Sequence, residues 1–156
     1  MNTAKSTSLI DRTFDEGVAL TLEVRNYIAY HEQADRREMD LNQCLQVGYQ
    51  HTRVSARLIQ CMTWLLAMKA LLAGEIAPEQ FAAPQYQFTR SEECENTTGQ
   101  DQEDLPPGLR SLLERSHALY SRIQRLDSMV RAKMEAGEVP NFAMLAGGPV
   151  IAGGMM

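Results

Sequence analysis

The sequence lacks three features that would place the chain outside the reducing interior of a cell. Its three cysteines, Cys44, Cys61 and Cys94, form an odd set without C-x-x-C spacing, which argues against a disulfide scaffold. The first eight residues are polar and small, unlike a secretory signal. The most apolar stretch, residues 58–73, is shorter than about 18 residues and is interrupted by polar side chains, so we expect no membrane span. These absences predict a cytoplasmic protein.

The sequence also lacks an excess of basic residues. Its net charge is −5, from 15 Lys and Arg against 20 Asp and Glu. This charge gives no global attraction to nucleic acid or to an anionic membrane, so we expect neither as a partner. The hydrophobic fraction of 44% and the charged fraction of 22% are close to globular averages, so the chain can bury a core.

Motifs for catalysis and cofactor binding are missing as well. No glycine-rich phosphate loop follows a strand, and the glycines near the C-terminus lack the lysine and the helix that such a loop requires. No Ser-His-Asp or Cys-His arrangement is suggested, although distant residues can converge in a fold. We therefore expect no enzyme activity and no cofactor.

Two pairs of possible metal ligands are weak. Glu114 and His117 match the Glu-x-x-His half of a di-iron site, but such a site needs a second copy and further carboxylates. Cys44 and His51 are separated by about 10 Å along a helix, so a second chain would have to complete any site. We expect Glu114 and His117 to be solvated and His51 to be a satisfied core residue, and hence no metal site.

Three amphipathic stretches are present, and they predict an all-α fold. Apolar residues recur at three- and four-residue spacing over about 8–31, 41–73 and 106–136. Asp40 and Gln43 match a capping box before the second helix, and Gly74 matches its end. The polar residues 31–39 read as a loop. We predict an antiparallel three-helix bundle of long helices over 1–137, expected to be homodimeric, followed by a flexible tail at 138–156.

The second half of the second helix is apolar around most of its circumference. A surface helix needs only one apolar stripe, so this half belongs in the centre of a bundle or in an oligomer interface. We predict that it supports both the core and a homodimer interface. The candidate residues are Leu58, Cys61, Trp64, Leu65 and Met68.

Charge is segregated along the rest of the chain. Residues 92–104 contain six acidic residues and no basic one, a composition that buries little, so we expect a mobile acidic loop over about 89–105. The third helix is basic, and Arg115 and Arg122 flank its apolar seam. They are candidates to bind a partner, which would be an acidic surface, the chain's own acidic loop or phosphates. A loosely paired, solvated face is the alternative.

The tail carries no charge after Glu138 and contains two Gly-Gly pairs. Its apolar residues Phe142, Met144 and Leu145 are candidates to enter a partner's groove or pore, because an ordinary solvating tail is charged. The alternative is a frayed end with no role.

Several stretches match a known protein family. They are RTFDEG at 12–17, RLIQCMTWLL at 57–66, GEI at 74–76, LLERS at 112–116 and LYSRIQRLD at 119–127. In these stretches the chain resembles the bacterial regulators of CtrA degradation, the RcdA-like proteins. The resemblance extends over about residues 7–133, and the Trp-Leu-Leu helix is its most distinctive part.

The resemblance implies a dimeric three-helix bundle with a flexible C-terminal tail. Family members act in alphaproteobacteria as adaptors for the ClpXP protease, together with a single-domain response regulator, and help deliver cell-cycle regulators such as CtrA. It implies, for this chain, a non-enzymatic adaptor whose partners are a ClpX-type unfoldase, a response regulator and protein cargo. The rival hypotheses are a DNA-associated regulator that uses the third helix, a metal-binding bundle and a structural subunit of a larger assembly.

Overall fold

The computed structural model describes residues 9–88 and 91–137, and within these ranges it contains helices and turns but no strand. The predicted all-α class is therefore confirmed. The elements are α1 (Leu9–Tyr30), α2 (Glu32–Arg36), α3 (Leu41–Leu72), α4 (Pro78–Phe81), a 3₁₀ turn (Pro84–Tyr86), α5 (Glu92–Glu95) and α6 (Pro107–Glu135).

The ends of α3 follow from local sequence. The Asp40 carboxylate accepts the Gln43 backbone N–H at 2.8 Å, and the Gln43 side chain accepts the Asp40 N–H at 3.0 Å. The two bonds satisfy donors that a helix start leaves open, so the predicted capping box is confirmed. At the other end Gly74 adopts a φ of +76°, a left-handed conformation that favours glycine and ends the helix.

Contacts at both ends of α1 fix its direction relative to α3. Lys69, near the end of α3, forms an ion pair with Asp11 near the start of α1 at 3.3 Å. At the opposite end of α1 the Tyr27 ring lies against the His51 ring, with centroids 5.4 Å apart. Helices α1 and α3 are therefore antiparallel.

Helix α6 runs in the same direction as α3. Arg57 of α3 contacts Ser116 of α6, and Trp64, two turns further along α3, contacts Asp127, about three turns further along α6. Both partners advance together, so the two helices are parallel and each is antiparallel to α1. The connector, residues 73–106, therefore returns along the length of the bundle before α6 begins.

The described part of the connector packs against the long helices along this return path. The Phe81 and Trp64 rings pack in a T-shaped arrangement with centroids 6.4 Å apart, and the centroids of the Phe88 and Tyr120 rings are 4.9 Å apart. Further on, Cys94 is buried. The connector is thus a fourth layer over α3 and α6.

Two stretches that were expected to be loops differ from that expectation. Residues 31–39 contain the one-turn helix α2, which the Glu32–Arg36 ion pair at 2.7 Å supports, and no periodicity is detectable in so short an element. The expectation that the acidic stretch buries little is wrong at Cys94, which is buried in α5. Leu105, which directly follows the stretch, is buried as well. Composition missed this because the backbone of the stretch, and not its acidic side chains, faces the bundle.

Candidate protein-interaction surfaces

The five candidate residues of α3 all lie inside the single chain. Leu58, Cys61, Trp64, Leu65 and Met68 are buried in the core between the helices. The Trp64 indole N–H donates to an Asp127 carboxylate oxygen at 2.8 Å, so its polar edge is satisfied as well. These residues support the core, and they leave no side-chain surface for a second copy to contact.

A different side of α3 remains open. Seven of its residues recur in alternating steps of four and three, the spacing of a stripe that faces a partner helix. We call this stripe the α3 outer face; its members are Leu45, Tyr49, Thr52, Ala56, Ile59, Thr63 and Leu66. Ile59 is 65% exposed and Leu66 is 56% exposed. Apolar side chains are therefore displayed in a row outside the core.

This outer face carries no charge. Every exposed residue of α3 is uncharged, although exposed positions of α1 include Arg12, Asp15 and Arg25. The charged residues of α3 are Arg53 and Arg57, which are both buried, and the half-exposed Lys69. An uncharged helix surface with apolar residues at regular spacing is typical of a protein interface.

Arg57 fastens the connector to α3 and α6. Its guanidinium donates to the carbonyl oxygens of Cys94 at 2.9 Å, Asn96 at 3.2 Å and Leu113 at 2.9 Å. It also donates to Ser116 Oγ at 3.3 Å and to a side-chain oxygen of a connector glutamine at 3.0 Å. All five acceptors are neutral. Burial lowers the pKa of Arg57 to about 10, with a smaller contribution from the nearby charge of the second buried arginine.

Arg53, one turn earlier, extends this attachment. It donates to the Thr98 carbonyl at 3.0 Å and to Gln50 Oε1 at 3.0 Å, and it reaches the Tyr49 hydroxyl at 3.3 Å. Its Nε finds no acceptor among the described residues. Both arginines thus bind oxygens other than carboxylates, and neither pairs with a described acidic side chain of the connector.

The acidic side chains of the connector do face solvent. All six acidic residues of 92–104 are exposed. None of the ion pairs formed between described residues involves Glu92, Glu93, Asp101, Glu103 or Asp104. The stretch therefore presents negative charge on a backbone that two buried arginines hold in place.

The two candidate arginines of α6 are engaged with α1. Arg115 pairs with Glu23 at 2.5 Å, and Arg122 pairs with Glu16 through two hydrogen bonds of 2.6 and 3.1 Å. The hydrogen bond from Arg115 lowers the pKa of Glu23 and raises that of Arg115. Each charge is already matched by a neighbouring carboxylate, so these arginines join α6 to α1. The other three candidates, Phe142, Met144 and Leu145, lie outside the described residues.

The possible metal ligands do not come together. Within residues 9–88 and 91–137, no group of three or more His, Cys, Asp and Glu side chains is arranged to hold a metal ion. Glu114 is exposed and His117 is half-buried. His51 is buried as expected, but its Nε2 has no hydrogen-bond partner among the described residues, which differs from the expectation of a satisfied histidine. Burial lowers the pKa of His51.

No helix within residues 9–88 and 91–137 is both long enough and apolar enough to cross a bilayer.

Sequence reasoning missed Arg53 and Arg57. A signal was present: the two arginines are four residues apart, interleaved with Val54 and Leu58 of the apolar seam, on a helix without any acidic residue. A charged pair on a buried helix side needs partners from elsewhere in the fold, and here backbone carbonyls supply them.

Comparisons with known proteins agree with this architecture. A family model described as "Protein of unknown function (DUF1465)" matches residues 1–145. The crystal structure of RcdA from Caulobacter crescentus CB15 is similar, with 33% sequence identity and a TM-score of 0.60, over 76% of this chain and 88% of that chain. The search of curated proteins found no match. The chain therefore belongs to the DUF1465 family and is an RcdA-like protein.

Proposed function

We propose that this protein is a non-enzymatic adaptor that works in the cytoplasm and helps deliver cell-cycle regulators of the CtrA type to the ClpXP protease. The observation that carries the proposal is the similarity to RcdA in both sequence and fold. The proposed role is that of the regulators of CtrA degradation, which this chain resembles. The proposed partners are a ClpX-type unfoldase, a response regulator and protein cargo.

The surfaces described above support this role. An adaptor raises the effective concentration of cargo near a protease, so it needs several docking surfaces on a stable scaffold and no reacting groups. The bundle offers an uncharged outer face on α3 and an acidic connector that is fixed to the helices. Different partners can thus be held on different sides of one helical bundle.

We further propose that the protein forms a homodimer through the α3 outer face, centred between Ile59 and Leu66. In a two-fold pairing the same patch meets itself, so a charged stripe would repel its copy, whereas this stripe is neutral. Burying the exposed parts of these two side chains in both copies contributes roughly 4 kcal/mol, at roughly 1 kcal/mol each.

Light scattering on Ile59→Lys/Leu66→Lys tests the dimer. We expect the parent protein to be dimeric at micromolar concentration and the variant to be monomeric, since a loss of roughly 4 kcal/mol raises Kd about a thousandfold. Leu22→Lys/Ile28→Lys is the matched control, because these α1 side chains are 44% and 45% exposed. A monomeric parent, or a variant as dimeric as the control, would refute the proposed interface.

Affinity capture from native cells tests the adaptor role. The tagged full-length chain should retain a ClpX-type unfoldase and a single-domain response regulator. The Leu22→Lys/Ile28→Lys protein is the control for surface charge. Capture of neither partner, under conditions where the bait is folded and dimeric, would count against the proposal.

A further inference from the structure

A groove lies between the N-terminal half of α3 and the end of the connector. Its volume is about 310 Å³, close to the lower end of the range for small-ligand and peptide pockets. The walls include the apolar side chains Leu45, Tyr49 and Leu105, together with the amides of Gln46 and Gln102. Such a lining suits one large apolar side chain of a peptide ligand. The two side-chain amides could then form hydrogen bonds with the ligand's backbone on either side of that residue.

The connector wall of this groove is held in shape from behind. Gly99 lines it with a φ of +82°, a left-handed conformation that favours glycine, and glycine contributes no side chain to the opening. The preceding carbonyl, that of Thr98, accepts a hydrogen bond from buried Arg53 at 3.0 Å. The groove therefore exists before any ligand arrives, which reduces the ordering cost of binding.

The charge around the groove selects the partner. Asp101, Glu103 and Asp104 are exposed, adjoin the lining residues Gln102 and Leu105 in the chain, and pair with no described cation. Arg53, beneath the wall, is buried and already donates to three neutral oxygens, and buried Arg57 likewise donates to neutral oxygens of the connector. The rim is therefore net negative and favours a ligand with positive charges on both sides of its apolar anchor.

We propose that this groove binds a protein segment in which one large apolar side chain is flanked by lysine or arginine. The apolar anchor enters between α3 and the connector, and the basic flanks meet the acidic rim. In the proposed dimer, a second copy that crosses α3 near Thr63 leaves the groove open. Tyr49 lies roughly 20 Å from Thr63 along the helix axis, toward the N-terminal end of α3. The inference does not depend on the adaptor role.

Fluorescence anisotropy with the full-length protein provides the test. The probe is a labelled peptide with two lysines on each side of a single leucine. We expect saturable binding that weakens with added salt. Replacing the lysines by glutamates, or the leucine by serine, should each weaken binding at least tenfold. Amide NMR shifts on titration should cluster at Gly99 and Gln102.

Charge variants locate the site. Asp101→Asn/Glu103→Gln/Asp104→Asn should weaken binding roughly tenfold, as expected for three exposed charge pairs. Glu75→Gln/Glu92→Gln/Glu93→Gln removes the same net charge from exposed positions that are not adjacent in sequence to any residue lining the groove, and it should change Kd less than twofold. No saturable binding of the lysine–leucine peptide, or equal losses in both variants, would overturn the proposal; neither result bears on capture of the unfoldase.

Discussion

Arg57→Met tests whether a buried arginine holds the connector on the bundle. The substitution keeps an apolar stem and removes the guanidinium that donates five hydrogen bonds. The carbonyls of Cys94 and Asn96 lose this donor, at about 1–3 kcal/mol for each buried group left unsatisfied. Removing a buried positive charge offsets part of this loss. We expect the free energy of unfolding to fall by about 2–4 kcal/mol.

The measurement is urea unfolding followed by circular dichroism, with hydrogen exchange to locate the effect. Amides of residues 91–105 should lose protection before those of α3 do. Arg57→Lys should be at least as destabilising, because one ammonium group cannot reach acceptors on both α6 and the connector. Arg125→Met, an equivalent change at an exposed position of α6, should stay within about 0.5 kcal/mol. If Arg57→Met left both stability and connector protection unchanged, the role of Arg57 in holding the connector on the bundle would be refuted.

Three further changes follow from the packing. Gly108→Ala should lower the free energy of unfolding by roughly 1–3 kcal/mol, because the new Cβ would lie 2.7 Å from the buried Tyr27 ring; equal stability in urea would contradict this. Burial lowers the pKa of His51, so the unfolded chain binds that proton more strongly and stability should decline as pH falls below about 6.5. His51→Phe should flatten this decline, and an unchanged pH profile would mean that His51 is not its cause. Trp64→Phe removes the donor to Asp127 and should cost roughly 1–3 kcal/mol in the same urea assay, whereas a neutral result would mean that the hydrogen bond contributes little.

Most of the helical architecture could be predicted because its signals are local. The capping box at Asp40, the stop at Gly74 and the apolar spacing of α3 each depend on residues within a few turns. The side of α1 that faces the core was harder to predict from the sequence. Small residues such as Gly17 take buried positions there, whereas apolar Leu22 stays exposed. A prediction from hydrophobicity alone would therefore place the core-facing side of α1 at a different angle around the helix axis.

The connector could not be read from composition, because its attachment depends on tertiary contacts. Acidic side chains suggested a solvated loop, yet backbone carbonyls bind Arg53 and Arg57 from beneath. The parallel run of α3 and α6 follows from the same return path. Likewise, sequence placed Arg115 and Arg122 beside the apolar seam, but only the fold reveals the glutamates of α1 opposite them.

The candidate interface residues illustrate a further limit of periodicity. The apolar excess of α3 correctly indicated more than one buried stripe, but it could not say which residues face the bundle. Trp64 and Met68 lie in the core, whereas Ile59 and Leu66 remain on the outer face. The distinction requires knowing where α1, α6 and the connector sit around the helix.

The most direct test of the central claim is the rate at which purified ClpXP degrades CtrA-type cargo. Full-length protein added with the response regulator should raise the initial rate at limiting cargo concentration, as expected for tethering. The Ile59→Lys/Leu66→Lys variant should raise it less than the Leu22→Lys/Ile28→Lys control does. An unchanged rate at saturating concentrations of folded, dimeric protein would contradict the adaptor account.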